Sequence, residues 1–349
     1  MMVRLSTLAS VCILLLMPCG QGRAQPNGPW NAPLRIAWST DGRVFSASTI
    51  FQDSSGVPSA VRWKGDTLVA VFQWFREPRT APAWDRVAVK YSYDAGLTWT
   101  EPQPIVITGM PPNFQRPFDP TVAVVDGRLR IYFSSSDGMP QGGLNEIVNT
   151  YSAIGDDGLQ YRFETGARYD HPTRPVIDPA VIYFRNMWHY ASPVGAPQEG
   201  AHHAVSVNGL DFETQAPYPS DNQHNWTGNF VVTNDSTVRF YGSGPQLWYA
   251  ESSDATSWRP FIGIGLIGGD PTVVKIADDR WMIIYVGPRY ITDVNETVDE
   301  FPNEEPRPIG YVDVLGRWSD QPIRGLSFEV VITRHSSSGS TQGYRRLGP

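Results

Sequence analysis

Laid over itself, the chain shows one unit five times. The unit opens as a short strand, Val57-Pro58-Ser59-Ala60-Val61, crosses a polar turn at Lys64-Gly65-Asp66, and returns as an aromatic and β-branched strand from Thr67 to Trp74. It recurs as Asp119-Pro120-Thr121-Val122 with a turn at Asp126-Gly127, and as Asp178-Pro179-Ala180-Val181 with a turn at Arg185-Asn186. Gly228-Asn229-Phe230-Val231 with Asn234-Asp235 is the weakest copy, and Asp270-Pro271-Thr272-Val273 with Asp278-Asp279 the last. The second residues of the units, at 58, 120, 179, 229 and 271, lie 62, 59, 50 and 42 apart. That is the spacing of four-stranded propeller blades. Helical periodicity is hard to find anywhere, and 32 Gly and 30 Pro supply the turns that many short strands need. The expected fold is an all-β, five-bladed β-propeller, with six blades as the alternative.

Each unit has a second half with its own signature. The fullest copy is Ser92-Tyr93-Asp94-Ala95-Gly96-Leu97-Thr98-Trp99. Looser ones are Gly155-Asp156-Asp157-Gly158 with Phe163, Ser206-Val207-Asn208-Gly209 with Phe212, and Ser252-Ser253-Asp254 with Trp258. In such a turn Asp or Asn accepts backbone N–H groups, Gly takes a backbone angle that other residues resist, and the aromatic packs between blades. The full copy resembles the Asp box, S-x-D-x-G-x-T-W, of sialidase-like propellers, which implies a structural turn between the two outer strands. Ser39-Thr40-Asp41-Gly42 with Phe45 precedes the first unit. Either the N-terminal segment closes the ring by joining a sheet built later in the chain, which covers an exposed edge, or it is half of a sixth blade completed by Leu326 to Thr333. Ring closure is the simpler account.

Residues 1–24 read as a secretory signal peptide. Arg4 precedes an apolar run from Leu5 to Met17, and Gly22-Arg23-Ala24 offers small residues for cleavage; Cys19 leaves a lipoprotein reading open. Residues 25–349 are then expected to form one propeller domain, exported to the periplasm or beyond the cell. Cys12 and Cys19 are the only cysteines, so an exported chain without them has no disulfide, Cys–zinc site or cysteine nucleophile. No later segment has the roughly 20 apolar residues of a membrane span. A net charge of −7 with both signs mixed argues against a nucleic-acid partner. No cofactor motif is visible, and a monomer is expected.

Propeller geometry sorts the polar residues. Starts of first strands and the loops at 74–86, 134–146, 192–203, 242–247 and 287–308 share one face, and the outer-strand turns lie on the other. Asp119, Asp178 and Asp270 precede the strand-opening Pro, where Val57 and Gly228 stand in the other units. Three carboxylates aimed at one channel mouth would repel one another and raise at least one pKa, as a general acid requires; the bland reading makes each Asp a turn cap. Arg116 and Arg174 stand just before Asp119 and Asp178, placed either to pair with those carboxylates or to grip a substrate. Trp74, Trp84 and Trp226 offer stacking platforms for sugar rings or blade packing. Asp85, Glu146 and Glu199 are loop carboxylates that could complete an acid/base pair. His202-His203, with His189 and His224, is the one metal-like cluster, but neighbours along a strand point to opposite sides, so no metal site is expected.

Two families share parts of this pattern. Val57 to Val61 through Phe72, with Ser92 to Trp99 and Glu101-Pro102, resembles the opening blade of sialidases. That family holds its substrate carboxylate with an arginine where Gly56 stands here, and Asp85 falls where its loop acid/base Asp would be. The Asp-Pro-x-Val units are similar to the five-bladed arabinanase, xylosidase and invertase type of glycosidase. This resemblance implies a base or nucleophile at Asp119 and a pKa-tuning Asp at Asp178; its general-acid Glu would fall on Gly228. Glu199-Gly200-Ala201-His202 is similar to that family's Glu-Gly-Pro-His. The sequence therefore points to a carbohydrate partner in two ways. One is a glycoside hydrolase with Asp119, Asp178, Glu199 and Asp85 as catalytic candidates and Arg116, Arg174, Trp74, Trp226, Asp270 and His202 as binding candidates. The other is a non-catalytic propeller that binds a glycan or a protein on the same face.

Overall fold

The computed structural model describes residues 32–81, 84–137 and 148–288, together with strand backbone between 308 and 346. The expected leader and Glu146 lie outside the described residues. The chain divides into two compact units, one ending at Gly287 and one spanning Pro288–Pro349.

The first unit is five antiparallel sheets. Blade I is Ser55–Arg62, Leu68–Phe75, Trp84–Ser92 and Gln103–Pro104, and blade II is Phe118–Val125, Arg128–Ser136, Val148–Gly155 and Gln160–Tyr169. Val106–Thr108 adds a parallel edge to blade II. Blade III is Ala180–Phe184, Met187–Pro193, Ala201–Ser206 and Glu213–Thr214, and blade IV is Asn225–Asn234, Thr237–Ser243, Trp248–Ser252 and Ile262–Gly263. Blade V joins both ends of the unit. Its inner strands are Gly269–Ala277 and Arg280–Val286, and its outer strands are the N-terminal Leu34–Ser39 and Thr49–Gln52. Leu34 pairs with Val286 and Ser39 with Trp281, so the N-terminal segment closes the ring. The first strands touch in cyclic order I, II, III, IV, V and back to I. The fold is a five-bladed propeller.

The apolar pattern follows from this packing. A propeller strand is covered on both faces by neighbouring blades, so its residues read as a continuous apolar run. In Leu68-Val69-Ala70-Val71-Phe72 every residue is buried. Leu68, Ala70 and Phe72 pack with Ile276 and Met282 of blade V, while Val69 and Val71 pack with Ile131 and Phe133 of blade II. The strand's period of two thus feeds two separate cores, and each of the five junctions between blades has one.

The outer turns lock the junctions. Ser92 Oγ donates to Asp94 Oδ1 at 2.8 Å and accepts the Gly96 N–H at 2.7 Å. The same pattern holds at Ser39 with Asp41 and Gly42 and at Ser206 with Asn208 and Gly209, and Ser252 Oγ likewise donates to Asp254. The hydroxyls of Tyr91, Tyr132, Tyr218 and Tyr241 then donate to backbone carbonyls of the next blade's turn, at Asp157, Gly209, Ala255 and Gly42. Gly209 is required there: its φ is +69°, and a Cβ would stand 2.8 Å from the Tyr132 hydroxyl.

The axis is crossed by a polar collar. Asn229 Nδ2 donates to Ser59 Oγ at 3.2 Å and to Thr121 Oγ1 at 3.0 Å, and Ala60 N–H reaches Thr272 Oγ1 at 3.1 Å. Ser59, Thr121, Asn229 and Thr272 are all buried. Above the collar the axis opens as a pit on the face where the first strands begin.

The second unit is a four-stranded antiparallel sheet ordered Trp318–Ser319, Pro308–Asp313, Ser327–His335, Gly339–Arg346. The segment that would have completed a sixth blade belongs to this sheet. Among the described residues the one helical element is the single turn Pro197–Glu199, and no helix is long and apolar enough to cross a membrane.

Candidate active site

The residue before each strand-opening Pro is not extended. Val57, Asp119, Asp178 and Asp270 have φ of 46°, 51° or values between, in the left-handed region that Asp tolerates and a β-branched residue resists. Strand pairing skips two residues at this point, between Gly56 and Ser59, Phe118 and Thr121, and Gly269 and Thr272. This is a β-bulge, seated where Pro has no N–H to give the ladder. A bulge re-aims its side chain, and here the effect repeats around the ring. Val57, Asp178, Gly228 and Asp270 line the pit over the axis, and Val57 and Asp119 line the cleft that opens beside it. The three acids are thus brought together at one mouth.

They are not local turn caps. Asp119 Oδ2 accepts the backbone N–H of Asp178 in the next blade, at 3.4 Å. Asp270 receives the N–H of Val57, again one blade on. All three remain in partial contact with solvent but are ringed by protein. Burial, then the charge of Asp270, pushes Asp119 up to about 7. Burial, then Asp119 and Asp270, pushes Asp178 well above the usual carboxylate range. Burial raises Asp270 to about 6. The three titrate as a set, and at neutral pH the mouth holds both protonated and ionised carboxyl groups.

The cleft has a volume of about 600 Å³ and runs from Asp119 between blades I and II, with Gln73, Asp85, Gln115 and Arg116 on its walls and Phe75 and Phe114 as apolar faces. Asp85, itself at φ +53°, accepts from Gln73 Nε2 at 2.6 Å and pairs with Arg116 at 3.4 Å. Gln73 lines the cleft, and its Oε1 is buried with no protein partner. Arg116 therefore serves Asp85, and its other amine donates to Trp84 O at 3.1 Å; it does not pair with Asp119. Arg174 likewise pairs with Glu199, at 2.7 Å, and not with Asp178. In both cases the bulge and the Pro turn the Asp toward the axis while the Arg reaches outward to a loop carboxylate.

Other candidates fall elsewhere. Glu199 ends the Pro197–Glu199 turn, where Oε2 accepts the Ala196 N–H at 2.9 Å. Its bond to Arg174 holds its carboxyl below the usual range, and the cavity it lines shares no residue with those of Asp119 and Asp178. It is not their partner acid. Trp74 and Trp226 are not stacking platforms: Trp74 sits in the core between blades V and I, and Trp226, with no exposed surface, in that between III and IV. Trp84 is half-buried, leaning on Phe75 with ring centroids 5.6 Å apart. His202 packs toward Tyr169 and His171, and His203 toward His189 and Tyr218, on opposite sides of their strand. Among the described residues no group of three or more His, Cys, Asp or Glu is placed to hold a metal ion.

Gly228, at the blade IV position, leaves no room for a side chain, since a Cβ would meet Tyr241 O at 2.0 Å. A glutamate cannot be substituted at that point of the ring without moving the backbone. Gln73 and the collar residues were not singled out from sequence. The collar was legible in the repeat itself, where Ser59, Thr121 and Thr272 occupy one aligned position; Gln73 carries no such mark.

No protein-family model and no curated protein matches the chain. Among solved structures, it is similar to the Bombyx mori GH32 beta-fructofuranosidase BmSUC1, with TM-score 0.51 and 13% identity over 69% of this chain. It spans 56% of that enzyme's length. A protein of unknown function from Dyadobacter fermentans gives TM-score 0.50 and 14% identity, covering 74% of this chain and 85% of that one. A GH43_1 enzyme from Xanthomonas citri gives TM-score 0.48 and 14% identity over 66% and 87% of the two chains. At these identities the likeness is one of fold: the chain is a five-bladed propeller of the architecture found in GH32 enzymes.

Proposed function

We propose that this propeller is an exported glycoside hydrolase whose chemistry is carried by Asp119, Asp178 and Asp270 at the mouth of the channel. The observation behind this reading is that three carboxyl groups gather at one mouth, where burial raises all three and the neighbouring carboxylates raise Asp119 and Asp178 further. Glycoside hydrolysis needs one carboxyl that is still protonated near neutral pH to deliver a proton to the leaving oxygen, and a second that is ionised to act on the sugar's other side. Asp119, near 7, suits the acid, and it alone of the three opens onto the large cleft. Asp270, near 6, ionises first and suits the base or nucleophile. Asp178 lies between the two in chemical role: its contact with Asp119 through the backbone holds that carboxylate in place. The Gln73 carbonyl, Arg116 and Asp85 provide acceptors and donors for substrate hydroxyls, with Phe75 and Phe114 as faces for an apolar side of a ring. The likeness in fold to a beta-fructofuranosidase fits this assignment.

The test is hydrolysis of a panel of aryl glycosides, sialosides and polysaccharides, with Asp119→Asn and Asp178→Asn alongside. Release of one sugar class is expected, with kcat lowered about 10²–10⁴-fold in Asp119→Asn, the usual contribution of a general acid. The pH–rate profile should peak between the two groups, falling below about 6 as Asp270 protonates and above about 7 as Asp119 ionises. A second reading is a non-catalytic glycan-binding propeller, favoured by the closed Gly228 position in blade IV. Glycan binding without hydrolysis anywhere on the panel would establish it and reject the first. Export is tested by fractionation with the leader deleted.

A further inference from the structure

A second cavity, of about 520 Å³, lies on blade III away from the axis. It is walled by Tyr169, His171 and Arg174 from the segment that leaves blade II, and by Glu199, His202 and Gln215 of blade III. The position that stands out is His202, 8% exposed, whose Nε2 is buried with no hydrogen-bond partner in the protein. Buried polar groups without partners are rare in folded proteins, and each asks for a reason. Its ring lies against Tyr169 at 5.6 Å and His171 at 4.9 Å, so the imidazole is fixed while the nitrogen is left unpaired beside an open cavity. Burial, with His171 and Arg174 nearby, lowers its pKa to about 4, which keeps it neutral at physiological pH.

The arginine and the carboxylate beside it are paired with each other. Arg174 and Glu199 meet at 2.7 Å on the rim, and Glu199 is held from behind by Ala196 N–H. A neutral imidazole, a closed ion pair and an amide give these walls no unpaired carboxylate or guanidinium to hold an ion. The pocket offers alternating donors and acceptors on a wall with aromatic faces, which is the chemistry that recognises a neutral polyhydroxylated ring. We propose that this cavity is a second, non-catalytic subsite for a neutral sugar unit, in which His202 Nε2 and the Arg174–Glu199 pair hydrogen-bond to its hydroxyls. The proposal rests on the reading that the propeller handles glycans, and it concerns a place separate from the carboxylates at the mouth.

The experiment is a titration of the full chain, labelled with ¹⁵N-histidine, with neutral xylo-, arabino- and fructo-tetrasaccharides and with an oligogalacturonate as the charged probe. A neutral tetrasaccharide should shift the imidazole signals of His202 and His171. His202→Phe, which keeps a ring against Tyr169 and His171 but removes Nε2, should weaken that binding about tenfold, as expected for a lost hydrogen bond. Gln215→Ala, on the exposed rim, should weaken it without risk to the fold. The shifts should survive in Asp178→Asn. Three outcomes would overturn the proposal: no imidazole shift with any neutral sugar, a response only to the oligogalacturonate, or loss of the shifts in Asp178→Asn, which would place the sugar at the central mouth. Silent hydrolysis with the imidazole shifts intact would instead reject the catalytic reading and leave this one standing.

Discussion

Replacing Asp119 by Asn should stabilise the propeller at pH 8 and leave it almost unchanged at pH 4. Asp119 rises from its ordinary 3.8 to about 7 on folding, so the folded state holds the proton more tightly than the unfolded chain does. The stability attached to this group is therefore complete below about pH 4 and is lost as pH climbs through 7. At about 1.36 kcal/mol per pH unit, the rise amounts to about 4 kcal/mol that the wild-type chain gives up by pH 8. Asn cannot ionise, is the same shape, and keeps an oxygen for the Asp178 N–H.

The assay is thermal unfolding of both proteins at pH 4, 6 and 8. At about 2 °C per kcal/mol for a domain of this size, the variant should melt about 8 °C above wild type at pH 8. The gap should close steadily toward pH 4. A gap that is equal at all three pH values would mean that the substitution acts through packing and not through ionisation. A variant less stable than wild type at pH 8 would refute the electrostatic account of the mouth altogether.

Three other outcomes are expected. Asp270→Asn removes the neighbouring charge that raises Asp119 most, so the titration of the Asp119 carboxyl, followed by ¹³C NMR, should move to lower pH; an unmoved titration would refute the coupling between the two. Val57→Asn places a residue that tolerates the left-handed region at φ +46°, and urea unfolding should show a gain of about 1 kcal/mol. Gly209→Ala puts a Cβ against the Tyr132 hydroxyl at φ +69° and should cost about 2 kcal/mol or more, against about 1 kcal/mol for Tyr132→Phe, which only deletes the hydrogen bond.

The fold was legible because every blade solves the same packing problem. Two covered faces demand continuous apolar strands, and each junction needs a turn with Asp or Asn and a small residue, so the repeat is written five times. The convergence of Asp119, Asp178 and Asp270 was legible for the same reason, since equivalent positions in a ring must meet at its axis. What was not legible is anything decided between blades. The sequence neighbours Arg116 and Asp119 look like a pair, but the bulge sends the acid inward and the guanidinium to Asp85. Trp226 at a strand start looks available for stacking, yet Tyr218, from the far end of blade III, covers it at 4.9 Å. Glu199 sits in a family-like string, and the tight turn at Pro197–Glu199 folds its carboxylate back onto Ala196 and away from the axis.

The acids at the mouth are not needed to build the blades. The left-handed turn before the strand-opening Pro forms with Val57 in blade I as well as with Asp in blades II, III and V, and blade IV is built with Gly228, so no blade needs a carboxylate to fold. The collar of Ser59, Thr121, Asn229 and Thr272 already ties the first strands together below. Three acids placed above it add repulsion and burial cost at neutral pH and return hydrogen bonds to Asp178 N–H, Ser134 and Val57 N–H. Residues that weaken a fold, are not required by its geometry, and gather where a cleft opens fit the catalytic role proposed for them.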